Sequence, residues 1–376
     1  MAPALATRTH TTGRRGSRVL VAAAVLGASY FAFASLFVQH PRSWWPDAAA
    51  FLPFGRSLPA SVTALRAAMA TPETVSVNSP LLRAVVSDVD GTLFHFGCQN
   101  QLSAANAAAL RRAIAAGVHV SLATGRIPGP WSGALGQQLP GMGPGIFANG
   151  ALILGPVGGE VLEETFLPAE VVAIVKDFSR GGLAGGKGRV ALLAATRLAG
   201  SAPEHGSLCY AELAPSGPTW VTELVKGAGE PAVQMLDLDS VADDRVMKFV
   251  FFTTRKDADW ACMPDVVAEL KARLAGTGST VLACGALQCE VLPLGINKGA
   301  AVERLLSRLG VAPSATLACG DAENDVEMLR LVGVGAAMGN AGSKAKEAAD
   351  VVVSRHDHDG VAEAIQRFVF GEQFTK

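Results

Sequence analysis

Two carboxylates stand one residue apart in Asp88-Val89-Asp90-Gly91-Thr92, at the end of the apolar run Ala84-Val85-Val86 and just before a glycine turn. If that run is a buried parallel strand, the pair lies at its carboxyl end, where open α/β sheets form their ligand crevice. Alternation along a strand sends residues i and i+2 to one side, so Asp88 and Asp90 can both reach one site once Gly91 turns the chain. Carboxylates in that position suit two jobs: covalent nucleophile for one, general acid and base for its neighbour. A plain Asp-x-Asp-Gly turn that caps the next segment accounts for the pentapeptide equally well.

Three further segments bear on that choice. Leu122-Ala123-Thr124-Gly125-Arg126 is again an apolar run ending in a hydroxyl and a glycine; Thr124 Oγ and the next backbone N–H could hold a phosphoryl oxygen, or the segment is a simple turn. Ile296-Asn297-Lys298-Gly299 places a lysine at a helix start, where the dipole disfavours a cation unless an anion lies opposite; an exposed lysine is the plainer alternative. Cys319-Gly320-Asp321-Ala322-Glu323-Asn324-Asp325 ends a third run with three acids and an amide, which also suits an ordinary helix N-terminus. The combination decides. If Asp88, Asp90, Asp321 and Asp325 meet at adjacent strand ends, each like-charge pair near 4 Å costs about 4 kcal/mol at an effective dielectric near 20. A cation belongs among them, and magnesium fits, because it takes one or two carboxylates together with water and phosphate oxygens.

The elements that must position these residues are legible around them. Ala84 to Ser87 reads as a strand, Ala104 to Ala116 as a helix with Ser103 as N-cap and Gly117 as its stop, and His119 to Ala123 as a second strand. That βαβ unit implies a parallel sheet with a right-handed crossover. After Asn149-Gly150-Ala151 the texture changes. From 155 to about 290 the chain is rich in glycine and alanine, with loop-like stretches at Ser179 to Gly188 and Ala199 to Gly206. Strand candidates there are Val246 to Thr253, Val281 to Cys284 and Leu287 to Leu292, with a helix from about Pro264 to Leu274, which suggests a separate α+β insert. From Lys298 the βα alternation resumes: a helix with Val302, Leu305, Leu306 and Leu309 on one face, a strand at Thr316 to Cys319, a helix at Asp325 to Leu331 and a strand near Gly333 to Met338.

Composition excludes some function classes. The 376 residues carry a net charge of −1, which leaves no electrostatic footprint for nucleic acid. Mean hydropathy is +0.31, raised by alanine and by one N-terminal run. No acid occurs from Met1 to Pro46, and Arg8, Arg14, Arg15 and Arg18 precede an uncharged stretch from Val19 to Gln39. This start fits a membrane span, a signal with an Ala32-Phe33-Ala34 cleavage site, or an organelle transit peptide. Prolines 41, 46, 53, 59 and 72 then mark a linker. Cys98, Cys209, Cys262, Cys284, Cys289 and Cys319 form no C-x-x-C pair and read as free thiols. His356-Asp357-His358-Asp359 looks like a metal cluster, but its place before the last helix favours a solvated loop and cap; His95 and Cys319 are read as loop and core residues.

In this order the segments DVDGT, ATGR, GINKG and GDAENDVEML, with Phe147 to Ala151, Gly339-Asn340-Ala341 and Asp359-Gly360-Val361, resemble the haloacid dehalogenase superfamily. Within it they resemble the Cof-type phosphatases with a C2B cap. The resemblance covers about residues 82 to 370 and is weakest from 180 to 240. It implies an α/β fold, a Rossmann-like core with a parallel sheet and an inserted α+β cap. The division is then 1–80 targeting or anchor segment and linker, 81–154 core, 155–290 cap and 291–376 core. It further implies Asp88 as the nucleophile that forms an aspartyl-phosphate and Asp90 as general acid and base. Magnesium would be bound by Asp88, the Asp90 backbone carbonyl and Asp321, with Asp325 steadying its water. Thr124, Gly125, Lys298 and Asn324 would hold the phosphoryl group.

The expected activity is hydrolysis of a small phosphorylated metabolite: a sugar phosphate, flavin mononucleotide, pyridoxal phosphate or a riboflavin-pathway phosphate. The alternatives are a phosphomutase of the phosphomannomutase type and a non-catalytic membrane-anchored binding protein. No nucleic-acid partner is expected. Anchoring through residues 19–38 stays open, and for location a plastid is favoured over the secretory pathway, a membrane or the mitochondrion.

Overall fold

The computed structural model describes residues 81–95, 100–156, 159–181, 190–197, 208–212, 219–231, 233–235, 238–253 and 261–374. The basic, apolar N-terminal segment and its linker lie outside them. Among the described residues no helix is long and apolar enough to cross a membrane.

In chain order the first block contains β1 (Ala84–Ser87), α1 (Ala104–Ala115), β2 (His119–Ala123), α2 (Pro130–Gln138), β3 (Gly145–Phe147), β4 (Leu152–Leu154) and β5 (Val161–Glu164). The middle block contains α3 (Ala169–Gly181), β6 (Ala191–Arg197), β7 (Leu208–Glu212), α4 (Thr219–Gly227), β8 (Val233–Met235), β9 (Val246–Phe252), α5 (Met263–Arg273), β10 (Ser279–Ala283) and β11 (Gln288–Pro293). The last block contains α6 (Lys298–Leu309), β12 (Thr316–Gly320), α7 (Val326–Leu331), β13 (Val334–Ala337), α8 (Ser343–Ala348), β14 (Val351–Val352) and α9 (Gly360–Ala364).

First and last blocks share one eight-stranded sheet in the order β14-β13-β12-β1-β2-β3-β4-β5, parallel from β14 to β3 and antiparallel at β4 and β5. Its central strand β1 is buried along its whole length, as a parallel strand covered on both faces must be. Val85 joins Leu110 and Ala113 of α1 on one face; Ala84 and Val86 join Val302, Leu305 and Leu306 of α6 on the other. The chain leaves β1 towards β2 on one side and returns on the other at β12, so the order reverses between β12 and β1. Crevices form at such a switch point.

The middle block forms a six-stranded sheet, β10-β11-β9-β6-β7-β8, antiparallel except for the β7–β8 pair. Val171, Val175 and Phe178 of α3 and Val266 and Leu270 of α5 cover one face of it, against Phe249, Phe251 and Val291. The other face packs on the first block: Val250 and Phe252 share a buried apolar cluster with Phe94 and Trp131. The division expected at 154/155 cuts through the larger sheet, because β5 still pairs with β4 there. That expected at 290/291 falls inside β11, which pairs with β9 and β10 in the smaller sheet. Composition shifts after Asn149-Gly150-Ala151, but the ladder of hydrogen bonds runs on past it.

Candidate active site

Asp88, Thr124 and Asp321 follow directly on β1, β2 and β12, three adjacent parallel strands, so all stand at one edge of the sheet. The turn after Asp88 is tight: Leu93 and Phe94 both donate to the Val89 carbonyl, and Gly91 takes φ 76°, which a side chain would oppose. From the far side Lys298 is the first residue of α6, behind the Asn297 cap, whose side chain accepts from the Ala300 N–H at 2.8 Å.

Lys298 is buried and bridges two acids, donating to Asp88 Oδ1 at 2.6 Å and to Asp325 Oδ1 at 2.7 Å. A cation at a helix N-terminus costs about 0.3–1 kcal/mol. Two charge-assisted hydrogen bonds, each about 1.5–3 kcal/mol, outweigh that. Asp325 Oδ2 accepts from the backbone N–H groups of Asp321 and Ala322, both at 2.9 Å. Its carboxylate lies so close to Gly320 that a Cβ there would meet Asp325 Cβ and Cγ at 2.6 Å, which explains the glycine. Asp321 is held by Thr92 Oγ1 and Asn340 Nδ2, both at 3.2 Å.

Three carboxylates thus face one ammonium. Oxygens of Asp88, Asp321 and Asp325, all buried, lie within 4.8 Å of one another. Burial pushes the Asp88 carboxyl up to about 7, reinforced by Asp325 and Asp90 and opposed by Lys298. Burial also raises Asp321 well above the usual carboxylate range, with Asp88 and Asp325 adding to the effect. A donor set of converging carboxylate oxygens, without sulfur or imidazole, fits a hard divalent cation.

Asp90 is outside this convergence. Its carboxylate is turned to Arg126, which donates from Nε at 2.7 Å and from a terminal nitrogen to the second oxygen. Arg126 also donates to the carbonyl of Ala228, beyond α4, at 2.8 Å and to Asn100 Oδ1 at 3.1 Å, and it lies over the Trp131 ring. Glu230 Oε1 is 4.0 Å from its Nε. Thr124 Oγ1 accepts from the Arg126 N–H at 3.1 Å, and the Gly125 carbonyl accepts from Lys248 Nζ at 2.7 Å. Asn324 donates to Asn149 Oδ1 at 2.9 Å.

The eight residues expected at the phosphoryl and metal site therefore lie in one region: Asp88, Asp321, Asp325 and Lys298 interlock, Thr124, Gly125 and Asn324 flank them, and Asp90 is held apart by Arg126. Arg126, Lys248, Glu290 and Glu230 also line this region, with no role expected from the sequence. Lys248 in VMKFVFF and Glu290 in QCEVLP are lone charges in fully buried strands, and that is a signal for a buried pair. Arg355, Asp357 and His358 are exposed, as expected of a solvated loop, but His356 departs from that form. His356 is buried and its backbone N–H donates to Asn340 Oδ1, so it braces the residue that holds Asp321. Asp359 starts α9 with φ 59°, but its side chain makes no cap hydrogen bond. No cluster of metal-ligating type forms there among the described residues.

Comparison with known proteins agrees with this architecture. A haloacid dehalogenase-like hydrolase profile matches residues 85–184 and 226–365. The chloroplastic endoribonuclease YBEY of Arabidopsis thaliana is 30% identical over 301 residues, which is 77% of this chain and 47% of that protein. The 5-amino-6-(5-phospho-D-ribitylamino)uracil phosphatase of Bacillus subtilis is 44% identical over 80 residues, 21% of this chain and 32% of its own. This chain thus spans about half the length of the first relative and a third of the second. A solved subclass IIB sugar phosphatase of the haloacid dehalogenase superfamily is 23% identical, with a TM-score of 0.60 over 76% of this chain and 98% of its own. With its parallel-rich core sheet and separate cap sheet, the chain belongs to the haloacid dehalogenase-like hydrolase family.

Proposed function

We propose that the protein is a magnesium-dependent phosphatase of small phosphorylated metabolites, working through an aspartyl-phosphate on Asp88. The observation that carries this reading is Lys298 bridging Asp88 and Asp325 beside Asp321, at the switch point of the sheet. Asp88 Oδ2, the oxygen not gripped by Lys298, attacks phosphorus, and the ester oxygen leaves with a proton from Asp90, whose carboxylate must first turn from Arg126 towards the site. Water activated by the same Asp90 then attacks the acyl phosphate and releases inorganic phosphate and free Asp88. Lys298, Thr124, Gly125 and Asn324 hold the phosphoryl oxygens during both steps. Magnesium bound to Asp88, Asp321 and the Asp90 carbonyl, with Asp325 behind its water, would supply charge neutralisation at the transferring group. The cap covers the part of the substrate beyond the phosphate and excludes bulk water. The 5-amino-6-(5-phospho-D-ribitylamino)uracil phosphatase among the relatives supports a small metabolite as substrate, and the chloroplastic relative supports a plastid address for residues 1–80.

The test is hydrolysis of p-nitrophenyl phosphate with and without magnesium. Wild type should turn over only with the metal, and Asp88→Asn should lose about 10⁴-fold or more, as removal of a covalent nucleophile does. Most of the activity surviving in Asp88→Asn would sink the mechanism. Incubation with a hexose phosphate that yields an isomerised sugar phosphate and no inorganic phosphate would point to a mutase instead.

A further inference from the structure

A buried polar chain runs from the cap sheet to Asn324, and its members Lys248, Glu290 and Asn149 have no part in the mechanism above. Lys248 on β9 and Glu290 on β11 are both wholly buried and stand on the cap-sheet face that meets the core. Glu290 Oε1 accepts from Lys248 Nζ at 2.8 Å and from Gln288 Nε2 at 3.2 Å. Its other oxygen accepts from Asn149 Nδ2 at 2.8 Å. Asn149 Oδ1 in turn accepts from Asn324 Nδ2 at 2.9 Å.

The direction of this chain is fixed by charge. A carboxylate accepts only, so Asn149 must present its NH₂ to Glu290 and its carbonyl to Asn324. Asn324 must then present its NH₂ to Asn149, which uses one N–H and leaves the second pointing away as a free donor. We propose that Glu290 is a positioning residue for the phosphate pocket: from the cap, it sets the orientation of Asn149 and through it that of Asn324. The pocket therefore has its full set of donors only when the cap sheet is seated. Lys248 acts from the same pair, because its Nζ also grips the Gly125 carbonyl. The inference rests on the phosphatase reading, in which Asn324 holds a phosphoryl oxygen.

Reversal of the polarity tests it. In Glu290→Gln, Lys248 and Gln288 keep the amide oxygen on their side, so the amide NH₂ faces Asn149. Asn149 must flip, and Asn324 must flip after it, turning its donors out of place. Adding Asn149→Asp restores acceptors on both sides of position 149 and returns Asn324 to its first orientation. Asn149 sits at φ 56°, a left-handed conformation that Asn and Asp both visit, so the backbone tolerates the exchange.

Binding of inorganic phosphate in the presence of magnesium, followed by titration calorimetry on the full chain, should weaken roughly 10- to 100-fold in Glu290→Gln, the loss of one hydrogen bond to a charged group. In Asn149→Asp/Glu290→Gln it should return to within about twofold of wild type. Wild-type affinity in Glu290→Gln overturns the inference. So does a double variant that melts like wild type yet binds phosphate as weakly as the single one. Should the single variant fail to fold, a double variant that melts like wild type yet binds phosphate about tenfold or more weakly than wild type overturns the inference. Wild type that neither binds phosphate nor hydrolyses p-nitrophenyl phosphate ends the phosphatase reading itself. Wild type that does both, with hydrolysis lost in Asp88→Asn, leaves that reading standing whatever Glu290 does.

Discussion

Two buried sites in this molecule place one cation among an excess of carboxylates, and they resolve the excess differently. Around Lys298 the acids come from two core strand ends and the turn before α7, and three oxygens converge within 4.8 Å. Around Arg126 one acid, Asp90, comes from the core and the other, Glu230, from the segment after α4, and no such convergence forms. Burial pushes Glu230 up to about 8, eased by Arg126 and Lys248, so near neutral pH it holds a proton and the Arg126 site balances itself. The Lys298 site has geometry for a divalent cation; the Arg126 site has geometry for a bidentate grip on one carboxylate. The first is suited to bond making, the second to holding Asp90 in register with the cap.

Replacing each cation in turn puts this distinction at risk. Lys298→Met should have the largest effect: a loss of about 3–5 kcal/mol in urea unfolding without metal, because two buried carboxylates lose their partner. Under the proposed role of Lys298 in holding the phosphoryl group, activity should fall about 10³-fold. Magnesium should return part of the lost stability, because a cation can take up the converging oxygens. Arg126→Leu should lower kcat about 10²-fold with a smaller change in KM, as misplacing a general acid does, and magnesium should return none of its stability. Arg126→Lys should not rescue kcat, since an ammonium cannot make the paired contact that a guanidinium makes. If magnesium restored both variants alike, the two sites would not differ in the way described.

The core was legible in the sequence because its signals are local. Ala84 to Ser87 and His119 to Ala123 are apolar runs bounded by turn residues, and both form strands with those bounds. Ser103 caps α1 by accepting from the Asn106 N–H, and Gly117 follows with φ 80°. Asp88, Thr124, Lys298 and Asp321 were readable for the same reason, as polar residues that end an apolar run or open a helix. The cap strand β6 was not. Its sequence, ALLAATR, is alanine-rich with little β-branched or aromatic content, and only its pairing with β7 and β9 makes it a strand. The contact between cap and core was only half legible, for a different reason. Lys248 and Glu290 are each a single charge in an apolar strand, and their meaning depends on partners far away in the chain, at Gly125 and Asn149. Arg126 closes the ATGR motif, yet its grip on Asp90 and on the Ala228 carbonyl joins residues far apart in the chain.

Glu230→Gln sharpens the comparison with the smallest effect. A carboxyl raised from 4.5 to about 8 by burial makes the folded chain bind more protons than the unfolded chain between those values. Stability owed to the neutral form is therefore complete below pH about 4.5 and is lost as pH rises through about 8. One Glu230 oxygen has no hydrogen-bond partner, so ionisation leaves a buried charge facing Arg126 at 4.0 Å, a guanidinium already committed to Asp90. The melting temperature of wild type should fall across that window, whereas Glu230→Gln, neutral at every pH, should show a flatter profile. Parallel profiles for the two proteins would mean that Glu230 is ionised in the fold, and the Arg126 site would then carry the same carboxylate excess as the Lys298 site.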